Sequence, residues 1–156
     1  MLNFNYEQLQ MKPHHLWGIY KLSRYQVNEL LLKLGFSLVE RIEDLILYMA
    51  NGEGIILTVE NDLITQVQYK TTNSRKYLDC IAYAKNIMKY DIVFEEFEQS
   101  ADVLRLDSND STIICINVHL ESKHESFGVT LGSKLPLPTP ENRIEVILSP
   151  PPIQGE

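Results

Sequence analysis

Along the chain, the clearest helical period of apolar residues lies between Ser23 and Phe36. Val27, Leu30, Leu31 and Leu34 recur at i, i+3, i+4 and i+7, while Asn28, Glu29 and Lys33 fall off that stripe. Its ends are marked as well. Ser23 followed by Gln26 is a capping box, in which two backbone donors orphaned by the first turn are satisfied reciprocally. Gly35 stands where a left-handed residue ends a helix, and Phe36 is placed to fold back on Leu31. A second stripe, Tyr77, Cys80, Ile81, Ala84, Ile87 and Met88, predicts a helix from about Arg75 to Lys89, capped by Asn73 or Ser74.

Elsewhere the period drops to two. LILYMA (45–50), IILTVE (55–60) and LITQVQYK (63–70) are joined by NGEG and by Asn61-Asp62, residue types that supply the positive φ of tight turns. They read as a three-stranded antiparallel meander. Leu63, Thr65, Val67 and Tyr69 alternate with Ile64, Gln66, Gln68 and Lys70, so one face of the sheet is expected to be covered. DIVFEEF (91–97), VLRLD (103–107) and STIICINVHL (111–120) form a second set, the last two joined by a turn at Ser108 to Asp110.

The expected fold is therefore α+β, two helices packed on antiparallel β-sheet in a single domain spanning 1–156. Helix, strand, strand, strand occurs twice, around 23–70 and around 74–120, the order of tandem αβββ units, although the two stretches share almost no residue identity. A proline-rich tail, 135–156, follows. Its prolines enforce an extended approach to a short last strand, Arg143 to Leu148, and then end it. The tail lacks the PxxP flanked by Arg or Lys of an SH3 ligand.

Composition narrows the class. With 44% hydrophobic and 22% charged residues the chain belongs with folding globular proteins. The start MLNFNYEQLQ carries no basic segment followed by an apolar run, no lipidation signal is visible, and no apolar stretch is long enough to span a bilayer. The expectation is a cytoplasmic protein without a membrane partner. Cys80 and Cys115, far apart in apolar settings, are expected to be free buried thiols.

Net charge is −7, unevenly placed. Residues 1–90 hold ten Lys and Arg against nine Asp and Glu, a net of +1, whereas residues 91–156 hold four against twelve, a net of −8. An acidic surface repels nucleic acid backbones and phospholipid and favours a basic protein partner.

No catalytic, metal or nucleotide signature emerges. His14 and His15 are adjacent, and neighbours on an extended chain point in opposite directions, so they do not share a metal. Cys115 and His119 would lie on one strand face but about 13 Å apart. Asp107, Asn109 and Ser111 begin like a calcium loop, yet Thr112 stands where its glycine belongs and Val118 where its bidentate glutamate belongs. GxGxxG, GxxxxGK[ST] and GxSxG are absent. No metal, cofactor or catalytic residue is assigned.

What remains is the acidic segment, in which Glu95, Glu96, Glu98, Asp102, Asp107 and Asp110 are the expected partner-binding residues, with Phe94 and Phe97 as nearby anchors. The opening LSRYQVNELLLKLGF followed by a meander also resembles the LGMSxxEVxxxLG openings of small bacterial αβ repeat proteins. These include the β-lactamase inhibitory protein fold and the outer-membrane small protein A lipoproteins. The resemblance covers about 50 residues, Gly18 to Tyr69, and implies a fold and a habit of binding proteins, with no individual functional residue carried over. Small acidic single-domain proteins of this kind also resemble bacterial immunity proteins. The expected function is a non-enzymatic toxin inhibitor, an immunity protein neutralising a basic toxin, often a nuclease, through its acidic face. The alternative is a small enzyme or ligand-binding regulator with a pocket between helices and sheet.

Overall fold

A computed structural model describes residues 11–119 and 125–133. The order is α1 (Pro13–Ile19), α2 (Arg24–Lys33), β1 (Ser37–Ile42), β2 (Leu45–Ala50), β3 (Glu53–Glu60), β4 (Leu63–Thr71), α3 (Ser74–Asn86), β5 (Asp91–Phe97), β6 (Ala101–Asp107), β7 (Ser111–His119) and β8 (Glu125–Ser133). All eight strands join one antiparallel sheet in the order β1-β2-β3-β4-β8-β7-β6-β5. The α+β class stands, with more strand than expected and a third helix. The expected strand at 143–148 and the tail at 135–156 lie outside the described residues.

The repeat unit is larger than the αβββ pattern read from the sequence. α2 is followed by four strands, Ser37–Thr71, and α3 by four more, Asp91–Ser133, and the two meanders meet where β4 pairs with β8. Register makes the correspondence residue by residue. Tyr48 pairs with Ile55 and Ile55 with Tyr69 in the first unit, as Leu106 pairs with Ile113 and Ile113 with Leu131 in the second. Tyr69 and Leu131 are thus equivalent positions, and at the seam Tyr69 faces Val129 while Val67 faces Leu131. The pseudo-twofold axis passes through the pair between them, Gln68 and Thr130.

Residues opposite one another in an antiparallel sheet share a face, so the registers trace rows across it. Ile46, Leu57, Val67, Leu131, Ile113 and Leu106 form one buried row; Tyr48, Ile55, Tyr69, Val129 and Cys115 form the next. The helices cover this face. Val27 and Leu31 of α2, Tyr77, Cys80 and Ala84 of α3, and Leu16 and Ile19 of α1 complete the apolar cluster. The Tyr48 hydroxyl donates to Asn28 of α2 (2.6 Å), and the Tyr77 ring lies 4.7 Å from that of Phe127.

α2 begins and ends as its sequence predicts. Ser23 and Gln26 close the capping box, Gly35 sits at φ +90°, and the Gly35 and Phe36 amides donate to the Leu32 and Leu31 carbonyls (3.1 and 2.9 Å), the two bonds of a Schellman end. α3 is capped by Asn73, whose side chain accepts from the Lys76 amide, but it stops at Asn86. Lys89 at φ +61° turns the chain so that Tyr90, not Ile87 or Met88, enters the core. In β4 the register slips by one residue at Thr65, whose hydroxyl donates to the Thr58 carbonyl. Ile64 is thereby buried and Leu63 left exposed, the reverse of the simple alternation.

His14 and His15 are helical rather than extended. Pro13 starts α1, and His15 Nδ1 accepts the Lys12 amide (2.9 Å), capping a helix too short to show a period. Their rings stack at 4.1 Å, and burial, then His14 and Lys12, hold the His15 pKa below its usual value. Trp17 of α1 packs on Tyr83 and Tyr90, 5.0 and 6.4 Å between ring centres, joining α1 to the second unit.

Candidate functional site

The six predicted partner-binding carboxylates do not form one surface. β5 is an edge strand, and a bulge at Val93 breaks its pairing with β6 between Ile92 and Phe94. Glu95 lies opposite Leu104 and so leans to the helix-covered side, whereas Glu96 lies opposite Val103 and leans to the other. Glu95 is exposed and Glu96 partly covered. Glu98, in the turn to β6, is exposed, and its amide donates to the Ala101 carbonyl (3.0 Å). Asp102 is opposite Phe97 and 3.3 Å from His119 Nε2. These four gather along and around one end of the β5 edge.

Asp107 is a correction. It is buried on the helix-free face of the sheet, where Arg105, two residues back on the same face, donates to both its oxygens (3.0 and 3.1 Å) and the Thr112 hydroxyl donates at 2.9 Å. A carboxylate so enclosed serves the sheet and does not meet a partner. Asp110 is exposed but belongs elsewhere. It lies in the β6–β7 turn, accepts the Ser108 hydroxyl (3.2 Å) and sits 3.8 Å from Lys21 Nζ. That turn is at the far end of β6 from Glu98, about 23 Å away along seven residues of strand.

The side chain that the acidic reading undervalued is Phe97. It is 72% exposed, the most exposed large apolar residue among those described, on the same strand face as Glu95 and between the exposed carboxylates of Glu95 and Glu98. Ile92 and Val93, at 40% and 39%, extend apolar surface along the same edge. The signal for Phe97 was present in the period of DIVFEEF, but deciding between core and surface required knowing that β5 is an edge.

Two other polar groupings were weighed. Glu53 of β3 accepts the Tyr69 hydroxyl (2.7 Å) and the Lys76 ammonium (2.5 Å), which ties the first unit to α3. Burial, then the Glu53 bond, push the Tyr69 pKa far above its usual value, so the phenol stays protonated. A cleft of about 190 Å³ opens beside Arg24, Arg41, Asp44 and Asp62, and a second of about 190 Å³ on the helix-free face beside Thr58, Gln66, Thr112 and Thr130. Neither lies between helices and sheet. Cys80 and Cys115 are free and buried, and burial pushes the Cys80 thiol up to about 12 and Cys115 higher still. Among the described residues no three His, Cys, Asp or Glu side chains gather as metal ligands, and no helix is long and apolar enough to cross a membrane.

The chain matches no family model, no curated protein and no solved structure. The functional reading therefore rests on this geometry.

Proposed function

We propose that the protein is a non-enzymatic protein-binding inhibitor of the immunity type, which neutralises a basic toxin domain by seating it on the end of the sheet formed by β5 and its turn. The observation that carries the reading is Phe97, exposed between Glu95 and Glu98 and opposite Asp102. An aromatic anchor ringed by like charges is the usual make-up of a protein-binding hot spot, in which the apolar group supplies affinity and the charges supply partner choice and association rate. Net −8 over residues 91–156 would draw a basic nuclease-like toxin and repel the nucleic acid it acts on. Covering the toxin's substrate path by this edge is the mechanism of inhibition.

The experiment uses the full chain and two variants, Phe97→Ala and Glu95→Lys/Glu98→Lys. Tagged wild type is used to capture its partner from the native host, and the partner gene is then co-expressed with each form in a sensitive strain. A basic toxin held by wild type, with protection lost in both variants, is the expected result. Full protection by both variants would refute the assignment of the edge, and capture of no toxin would refute the immunity reading. Asp102 and Asp107 are left unchanged in this design, because each has a partner inside the protein.

A further inference from the structure

The opposite end of the sheet carries a second uncovered edge of different character. All six residues of β1 are exposed, among them Leu38 (47%), Val39 (52%) and Ile42 (45%), and Met49 of the neighbouring strand adds 48%. The charges of β1, Glu40 and Arg41, cancel. A bulge at Val39 interrupts the ladder with β2, as the bulge at Val93 does in β5. Such a bulge discourages continuous strand addition but leaves the apolar side chains in water.

We infer that two copies of this chain associate through their β1 edges, side chain to side chain across a twofold axis. Charge placement decides for a second copy as the occupant and for this edge over the other. Residues 1–90 are nearly neutral at +1, so pairing at β1 brings together the halves that do not repel. The acidic β5 edges are then carried outward, each seven strand spacings, about 34 Å, from the contact, far beyond the roughly 8 Å over which physiological salt transmits charge. Pairing at β5 would instead stack two acidic strands on one another. Leu38, Val39, Ile42 and Met49 meeting their own copies form an isologous apolar contact of the kind closed dimers use. The edge is only six residues long, so the dimer is at the weak end of the range and depends on concentration.

Sedimentation velocity of the intact protein over a hundredfold concentration range tests this. The expected result is a shift from monomer to dimer mass that strengthens as salt rises, because salt screens the repulsion between two chains of charge −7 while leaving the apolar contact. Leu38→Lys/Val39→Lys, at exposed positions, is expected to stay monomeric throughout with unchanged circular dichroism, and Ile92→Lys on β5 to dimerise as wild type does. A wild-type monomer at every concentration, a dimer that survives Leu38→Lys/Val39→Lys, or one abolished by Ile92→Lys would each overturn the inference. None of these outcomes bears on the inhibitor reading, which rests on the opposite edge.

Discussion

Glu53 is the side chain whose removal most directly tests how the two αββββ units are joined. It sits at the start of β3 with only 9% of its side chain exposed and takes the Tyr69 hydroxyl from β4 and the Lys76 ammonium from α3. Tyr69 is 1% exposed, so Glu53→Ala leaves a buried phenol without its carboxylate acceptor. A hydrogen bond to a charged group is worth about 1.5–3 kcal/mol. The Lys76 pair adds on the order of 1 kcal/mol at most, because that side chain is 29% exposed and solvent screens it. Glu53→Ala should therefore cost about 3 kcal/mol in urea unfolding followed by circular dichroism, and Glu53→Gln, which keeps an acceptor but loses the charge, about half as much. Tyr69→Phe removes the donor, and in the double variant the orphaned group is gone. The cycle should then show a coupling of about 2 kcal/mol between the two positions. If the two losses add within about 0.5 kcal/mol, the bond contributes nothing beyond packing and the argument fails.

Three further outcomes follow from local features. Gly35→Ala meets no atom within 4 Å, so its cost is the φ of +90° alone, expected at about 1 kcal/mol and read as a lower urea midpoint at unchanged slope. Ser23→Ala and Asn73→Ala each remove a helix cap that accepts a backbone amide and should cost about 1 kcal/mol, additively, since the caps belong to different helices. Cys80 should resist thiol reagents until the protein unfolds. Its thiol is raised from the ordinary 9 to about 12, so the unfolded chain releases the proton first. Stability is then fully present below about pH 9 and falls as pH rises from there towards 12, a loss that Cys80→Ala should reduce.

Much of the fold is readable because its signals are local. Ser23, Gln26, the Val27–Leu34 stripe and Gly35 state the limits of α2 within a dozen residues, and each appears in the structure with the role its chemistry predicts. β1 escaped because SLVERI is exposed at all six positions, so there is no buried face to impose an alternation. β8 escaped for another reason. Phe127, Val129 and Leu131 do alternate, but Gly128 and Gly132 between them read as turn residues, and the partners that make this a strand, β4 and β7, are distant in sequence. The fate of Asp107 was half visible. Arg105 and Asp107 share a strand face by spacing, which suggests a pair, but which face of the sheet encloses them is a property of the whole sheet.

The doubled architecture also explains why side chains, and not topology, must carry function here. The units present equivalent edges, β1 and β5, each entered from a buried aromatic, Phe36 or Tyr90, that follows a left-handed residue, Gly35 or Lys89. Each edge is interrupted by an unpaired valine, Val39 or Val93. Backbone alone therefore gives a partner no reason to choose one end of the sheet over the other. Charge does. An edge bearing Glu95, Glu96 and Glu98 repels its own copy and admits only a surface of opposite sign, while an edge whose Glu40 and Arg41 cancel imposes no such filter and leaves Leu38, Val39 and Ile42 to match themselves. The same backbone device thus serves self-association at one end and selection of a foreign basic partner at the other, so added salt should strengthen the first contact and weaken the second.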